Sequence, residues 1–192
     1  NLNKIFIIDE SFIDYSNENS IIHFLNKDPL ENIIVIKSLS KAHGVPGLRL
    51  GYVFTKNKEI YNFIIKNIPI WNINSLGENF LEISLKYKSD LQKSFDRAKA
   101  DREYLINNLK TISFIDKVFE SHASFVTFFI KDKFWGDNLS KYLLDSHNIY
   151  LKELSRINNC NGKYFRVALT DIKKIDYFIN SLKMYSTYHN AT

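Results

Sequence analysis

Two short apolar runs, each stopped by polar residues able to do chemistry, constrain this chain more than any other feature. Ile5-Phe6-Ile7-Ile8 ends at Asp9-Glu10-Ser11, and Ile33-Ile34-Val35-Ile36 ends at Lys37-Ser38-Leu39-Ser40-Lys41. An unbroken apolar run of this length reads as a strand buried on both faces, the pattern of parallel sheets. A third short strand, Gly51 to Thr55, follows the turn-rich stretch Gly44-Val45-Pro46-Gly47. Open α/β sheets bind ligands outside the carboxyl ends of their strands. The fold class expected is therefore α/β with a mostly parallel sheet, and the residues that follow the strands are the candidates for function.

Beyond the third strand the apolar period changes from continuous to three and four residues, which predicts helices at Lys58 to Lys66 and from Ser75 to Leu109, separated at Pro69. The second stretch is too long for one ordinary helix and is expected to break near Lys86 to Asp90, where polar residues interrupt the stripe. That break divides the chain into residues 1–87 and 88–192. The rear part alternates strand candidates, at Ile112 to Phe119, Phe125 to Ile130, Asn148 to Lys152 and Tyr164 to Ala168, with helices at Asp137 to Ser146 and Asp171 to Tyr185. It reads as a small α+β layer of its own.

Composition narrows the function classes. The apolar runs fall far short of the roughly 20 residues that cross a bilayer, and the first residues lack the pattern of a signal peptide. One cysteine, Cys160, leaves no internal disulfide and disfavours a cysteine metal site, so a reducing cytoplasm and no metal are expected. The net charge of +5 comes from lysines scattered among Asn and Ile. Without a basic stripe and interleaved aromatics this is a solvated surface, and neither nucleic acid nor membrane is expected as a partner.

Singly, the polar motifs are weak. An acidic residue after a strand is usually a turn former, and Gly44-Val45-Pro46-Gly47 is followed by no Lys-Ser/Thr pair of the phosphate-loop type. Arg166 stands out because it interrupts the apolar Tyr164-Phe165-Arg166-Val167-Ala168-Leu169, where an unpaired guanidinium would be costly and an anion is needed.

Order and spacing add what single residues lack. Asp9-Glu10-Ser11-Phe12, then Ser38-Leu39-Ser40-Lys41, then Arg49 eight residues on within Gly47-Leu48-Arg49-Leu50-Gly51, resembles the cofactor segment of the fold-type-I pyridoxal-phosphate (PLP) enzymes. Pro69-Ile70-Trp71-Asn72-Ile73-Asn74 and Tyr164-Phe165-Arg166-Val167 continue the match, so that it covers essentially the whole chain. The branch it resembles is that of histidinol-phosphate aminotransferase and threonine-phosphate decarboxylase. The resemblance implies the rear part of the PLP-binding large domain, followed by the small C-terminal domain.

It also implies roles. Lys41 would carry PLP as a Schiff base, which asks for a neutral amine in a partly desolvated, cation-rich site. Asp9, as a buried carboxylate opposite the pyridine nitrogen, would keep that nitrogen protonated. Arg49 would hold the cofactor phosphate in a bidentate fork. Ser38 and Ser40 would add hydroxyls to it, loop capping being the alternative for either. Arg166 would bind the substrate α-carboxylate, with a structural ion pair as the alternative. Trp71 and Asn74 match a pocket segment, with core packing and helix capping as alternatives. Lys152, where relatives carry an arginine, has a doubtful claim on a substrate phosphate. His43 reads as structural.

Two departures qualify the match. The family has a further segment before the strand at Ile5, without which the sheet keeps an open apolar edge, a hazard for aggregation. The isolated fragment is accordingly expected to be inactive. Phe12 stands where the histidinol-phosphate enzymes have tyrosine, which leans toward the decarboxylases. The expected function is PLP-dependent transamination of a small amino acid or amino-acid phosphate, in a full-length homodimer. The alternatives are an amino-acid-phosphate decarboxylase and a non-catalytic dimerisation fragment.

Overall fold

In a computed structural model the structure describes residues 4–131, 133–154 and 163–190; Cys160 lies outside them. The chain divides into two compact units, residues 1–95 and 96–192.

The first unit is built on a three-stranded sheet of order β1-β2-β3, formed by β1 (Phe6–Asp9), β2 (Ile33–Ser38) and β3 (Gly51–Thr55). β1 runs parallel to β2, but β3 returns antiparallel, with Ser38 opposite Gly51 and Ile34 opposite Thr55. Among the described strands the sheet is therefore mixed, where a mostly parallel one was expected. A parallel neighbour needs a long crossover, usually helical, whereas residues 39–50 hold only a 3-10 turn, Pro46–Leu48. The return is tight at Gly51, where a Cβ would sit 2.8 Å from the carbonyl oxygen of Lys37.

Strand parity divides the sheet into two faces. On one, Ile33 and Val35 pack with Leu25 of the short helix α1 (Ile22–Leu25), flanked by Ile8, Ile21, Ile22 and Phe54. On the other, the register aligns Asp9 with Ile36, Ile36 with Val53 and Ser38 with Gly51. β1 is not buried on both faces as its apolar run suggests. Among the described strands it is the outer one, and Ile5, Phe6 and Ile7 are exposed. Burial of both faces needs a neighbour on each side, and among the described residues β1 pairs with β2 alone.

Two capped helices follow. Asn57 accepts a hydrogen bond from the Ile60 amide at the start of α2 (Lys58–Asn67), and Asn74 accepts one from Gly77 at the start of α3 (Ser75–Ser84). The expected break appears as a 3-10 turn at Leu85–Tyr87, after which α4 (Lys88–Leu109) runs into the second unit.

That unit is an antiparallel sheet of order β4-β5-β7-β6, formed by β4 (Lys117–Val118), β5 (Phe125–Ile130), β6 (Lys152–Glu153) and β7 (Lys163–Ala168), with α5 (Lys133–His147) and α6 (Ile172–Asn190). β5 alternates cleanly, sending Val126, Phe128 and Ile130 into a core with Phe165, Leu105, Leu109, Leu139, Leu143, Ile175 and Leu182. Phe128 stacks on Phe165 at 5.5 Å between ring centroids. β4 and β6 are shorter than the sequence suggests. Ile112, Phe114 and Ile115 are buried in this core from the turns ahead of β4, because apolar residues can be drawn inward without a ladder to pair with.

Candidate active site

The chemistry-bearing residues of the first unit meet where β1 and β2 end. Asp9, Ser11, Ser38, Ser40 and Arg49 line one open depression of about 680 Å³, over the sheet face that carries Ile36, Val53 and Thr55. Tyr61, Ile64, Ile65 and Ile68 from α2 and its C-terminal end form an apolar wall, and Tyr52 and Asn72 add polar atoms. None of these wall residues was singled out by the sequence. Tyr61, Ile64, Ile65 and Ile68 belong to no chemical motif, and only the packing of α2 and its C-terminal end brings them in, whereas Asn72 lies in the Pro69–Asn74 stretch that continues the resemblance.

Asp9 is held by its neighbour. The Ser11 hydroxyl donates to Asp9 Oδ1 at 2.5 Å and the Ser11 amide donates to the same oxygen at 2.9 Å. These two bonds, the hydroxyl first, hold the carboxyl below its ordinary pKa; slight burial opposes them and the Lys41 charge adds to them. The Ser11 oxygen also accepts from the Ser38 amide at 3.0 Å, so one hydroxyl ties the end of β1 to the end of β2. The Asp-x-Ser spacing is the local sign of such an Asx turn; its reach to Ser38 has none. Among the described residues Asp9 is exposed, at the end of a strand that pairs on one side.

Beneath it the loop is pinned by charge. Glu10 is buried, accepting from the Ser20 hydroxyl at 2.6 Å and the Ile21 amide at 2.7 Å, and Lys37 pairs with Asp14 at 2.7 Å.

Lys41 follows the buried Ser40 and is exposed, its Nζ 4.9 Å from the centroid of the Phe12 ring. Among the described residues the Phe12 ring is the group against this amine. The Tyr15 hydroxyl donates to the Lys41 carbonyl at 3.3 Å and its ring packs edge-on against Phe95, which anchors the lysine's backbone. Arg49 adopts a left-handed backbone, φ 57°, a conformation that costs a non-glycine residue free energy. It donates to the Pro46 carbonyl at 3.3 Å.

Lys41, Trp71 and Asn74 are not among the lining residues. Asn74 is spent on capping α3 and on donating to the Leu48 carbonyl at 3.0 Å. Trp71 is 92% exposed, with a left-handed φ of 61°. Arg166 belongs to the second unit, and the expectation that it is enclosed in apolar surroundings is corrected. Its neighbour Phe165 takes the inward position, so parity turns Arg166 outward beside Thr127 and Lys152, 5.1 Å over the Phe125 ring. Lys152 precedes Glu153, which pairs with Lys163 at 3.1 Å.

His43 packs edge-on against Phe80, and burial holds its ring below the ordinary histidine pKa, with Asp14 opposing and Lys37 adding. A histidine whose folded pKa is lowered contributes stability that is complete above its unfolded value of about 6.5 and is lost as pH falls toward the folded value. The urea midpoint of the protein should therefore drop between about pH 7.5 and 5.5, and His43→Gln should reduce that drop. An unchanged pH dependence in the variant would assign the acid sensitivity elsewhere.

The family model of the aminotransferases of class I and II matches residues 1–182. The chain belongs to this family. Among its aminotransferase relatives, the histidinol-phosphate aminotransferase of Buchnera aphidicola is 32% identical over 162 residues, covering 81% of this chain and 45% of its own. The L-serine phosphate decarboxylase Cj1436c of Campylobacter jejuni is 29% identical over 188 residues, covering 93% and 47%. The crystal structure of the histidinol-phosphate aminotransferase from Clostridium acetobutylicum is similar with a TM-score of 0.86 at 29% identity, over 96% of this chain and 55% of that one. The chain thus spans about half the length of these relatives. PLP is the cofactor of this aminotransferase family. The donor set fits such a group: a carboxylate for a protonated ring nitrogen, and a guanidinium with two serines for a phosphate, around one depression.

Proposed function

We propose that this chain carries the rear half of a PLP-dependent aminotransferase site, with Lys41 as the attachment residue and a small amino acid or amino-acid phosphate as substrate. The observation that carries the reading is the meeting of Asp9, Ser38, Ser40 and Arg49 around one depression at the strand ends, in a chain of this family. Bound PLP supplies an electron sink for a bond broken at the substrate Cα. Asp9 keeps a proton at the ring nitrogen, and its lowered pKa keeps it anionic for that task. Arg49 and Ser38 bind the phosphate, with Ser40 beside them. The Lys41 amine moves the proton at Cα, and Arg166 binds the substrate carboxylate; Asn74 and Trp71 act through the segment they shape. The intact protein is a homodimer in this reading.

A second reading, decarboxylation of an amino-acid phosphate, is favoured by Phe12. The ring under Lys41 Nζ has no hydroxyl to offer, and one relative is a serine-phosphate decarboxylase. Release of carbon dioxide from amino-acid phosphates, against transfer of the amino group to a keto acid, separates the two.

The attachment is tested by borohydride reduction of the intact protein loaded with PLP, followed by peptide mapping. Label on Lys41 is expected. Label on another lysine, or none, would overturn the assignment.

A further inference from the structure

We propose that Ser11 is a positioning residue for Asp9: it occupies Oδ1 with two hydrogen bonds and leaves Oδ2 as the oxygen that meets the ring nitrogen of PLP. This rests on the reading of Asp9 given above. Both Ser11 donors, the hydroxyl at 2.5 Å and the amide at 2.9 Å, converge on Oδ1, and Oδ2 accepts no hydrogen bond from the described residues. A carboxylate at a strand end would otherwise turn about its last bond, and a charge that must face one nitrogen loses strength with each wrong orientation. The Ser11 hydroxyl is itself oriented, because its oxygen accepts from the Ser38 amide at 3.0 Å and its proton is left to point at Asp9. The same contact sets the Asp9 end of the site against the Ser38 end, where the phosphate would lie. Ser11 therefore relates the two ends of one cofactor site through a single oxygen. The Ser11 bonds are also the leading cause of the lowered Asp9 pKa, which agrees with a hydroxyl spent on the anionic form.

The test uses the intact protein, with PLP and its 1-deaza analogue, in which carbon replaces the ring nitrogen, as binding probes. Ser11→Ala should weaken PLP roughly tenfold, the scale of a hydrogen bond to a charged group, and leave the deaza analogue nearly unchanged. In the cofactor-free protein, NMR of 13C-labelled aspartate carboxyls, with Asp9→Asn used to assign the signal, should show the Asp9 titration moving to higher pH in Ser11→Ala. Ser11→Thr, which keeps the hydroxyl, should restore both. If Ser11→Ala does not fold, Ser11→Cys preserves the size and replaces a strong donor by a weak one. The proposal is overturned if Asp9→Asn distinguishes PLP from the analogue while the Ser11 variants do not; the reading of Asp9 then stands. It also falls if Asp9→Asn itself fails to distinguish the two probes, and in that case the reading of Asp9 falls with it.

Discussion

Asp9→Asn in the intact protein is expected to leave the cofactor attached to Lys41 and to cut turnover by several powers of ten, a barrier increase on the order of 4 kcal/mol or more. The amide is nearly the same size as the carboxylate, and Ser11 can still donate to its oxygen, so the end of β1 should keep its shape. What is lost is the negative charge. Without it the ring nitrogen has no anion to hold its proton at neutral pH, and the electron sink weakens. Absorbance of the bound cofactor and steady-state turnover, measured on the same preparation, check the two halves of the expectation separately. Near-normal turnover would reduce Asp9 to a strand-end turn residue, the ordinary reading of an acid in that place.

Adjacent residues of β7 should respond in opposite ways. Phe165→Ala is expected to destabilise the second unit by about 3–5 kcal/mol, because Phe165 is fully buried and stacked on Phe128 in the core that α4, α5 and α6 share. Arg166→Ala, one position on, should leave the denaturation midpoint nearly unchanged, since its side chain is exposed on the outer face of the sheet. In the proposed reading it weakens substrates that bear an α-carboxylate and spares PLP affinity. Urea denaturation and substrate titration of both variants make the comparison. Equal destabilisation by the two would mean that Arg166 supports the fold, and the substrate assignment would fail.

The apolar runs ending at Asp9 and at Ser38 were legible as strands because continuous hydrophobicity over four residues has few other uses, and the break between α3 and α4 was legible where polar residues interrupt the stripe. Asp9, Ser38, Ser40 and Arg49 were legible as one group through their order along the chain, and they do line one depression. The surroundings of each were not. Periodicity reports what a residue prefers, not whether a neighbour arrives to cover it, so the exposure of Arg166 ran against the burial its apolar neighbours suggested. Asn74 shows the same gap from the other side: its capping of α3 is a local bond, whereas its hold on the Leu48 carbonyl joins positions distant in the chain.

By itself the sequence determined the family and the placing of a carboxylate, serines, a lysine and an arginine at or beyond strand ends, because spacing along a chain is a local property that folding does not alter. Tertiary structure alone decided that β3 comes back antiparallel, so close to β2 that a Cβ at Gly51 would sit 2.8 Å from the Lys37 carbonyl oxygen. It alone decided that Tyr15 reaches the Lys41 carbonyl and that the Ser11 hydroxyl, whose bond to Asp9 is local, also reaches the Ser38 amide. Those contacts join residues far apart in sequence, and hydrogen bonds act over about 3 Å, so nothing in the order of residues reveals them until the strands pair.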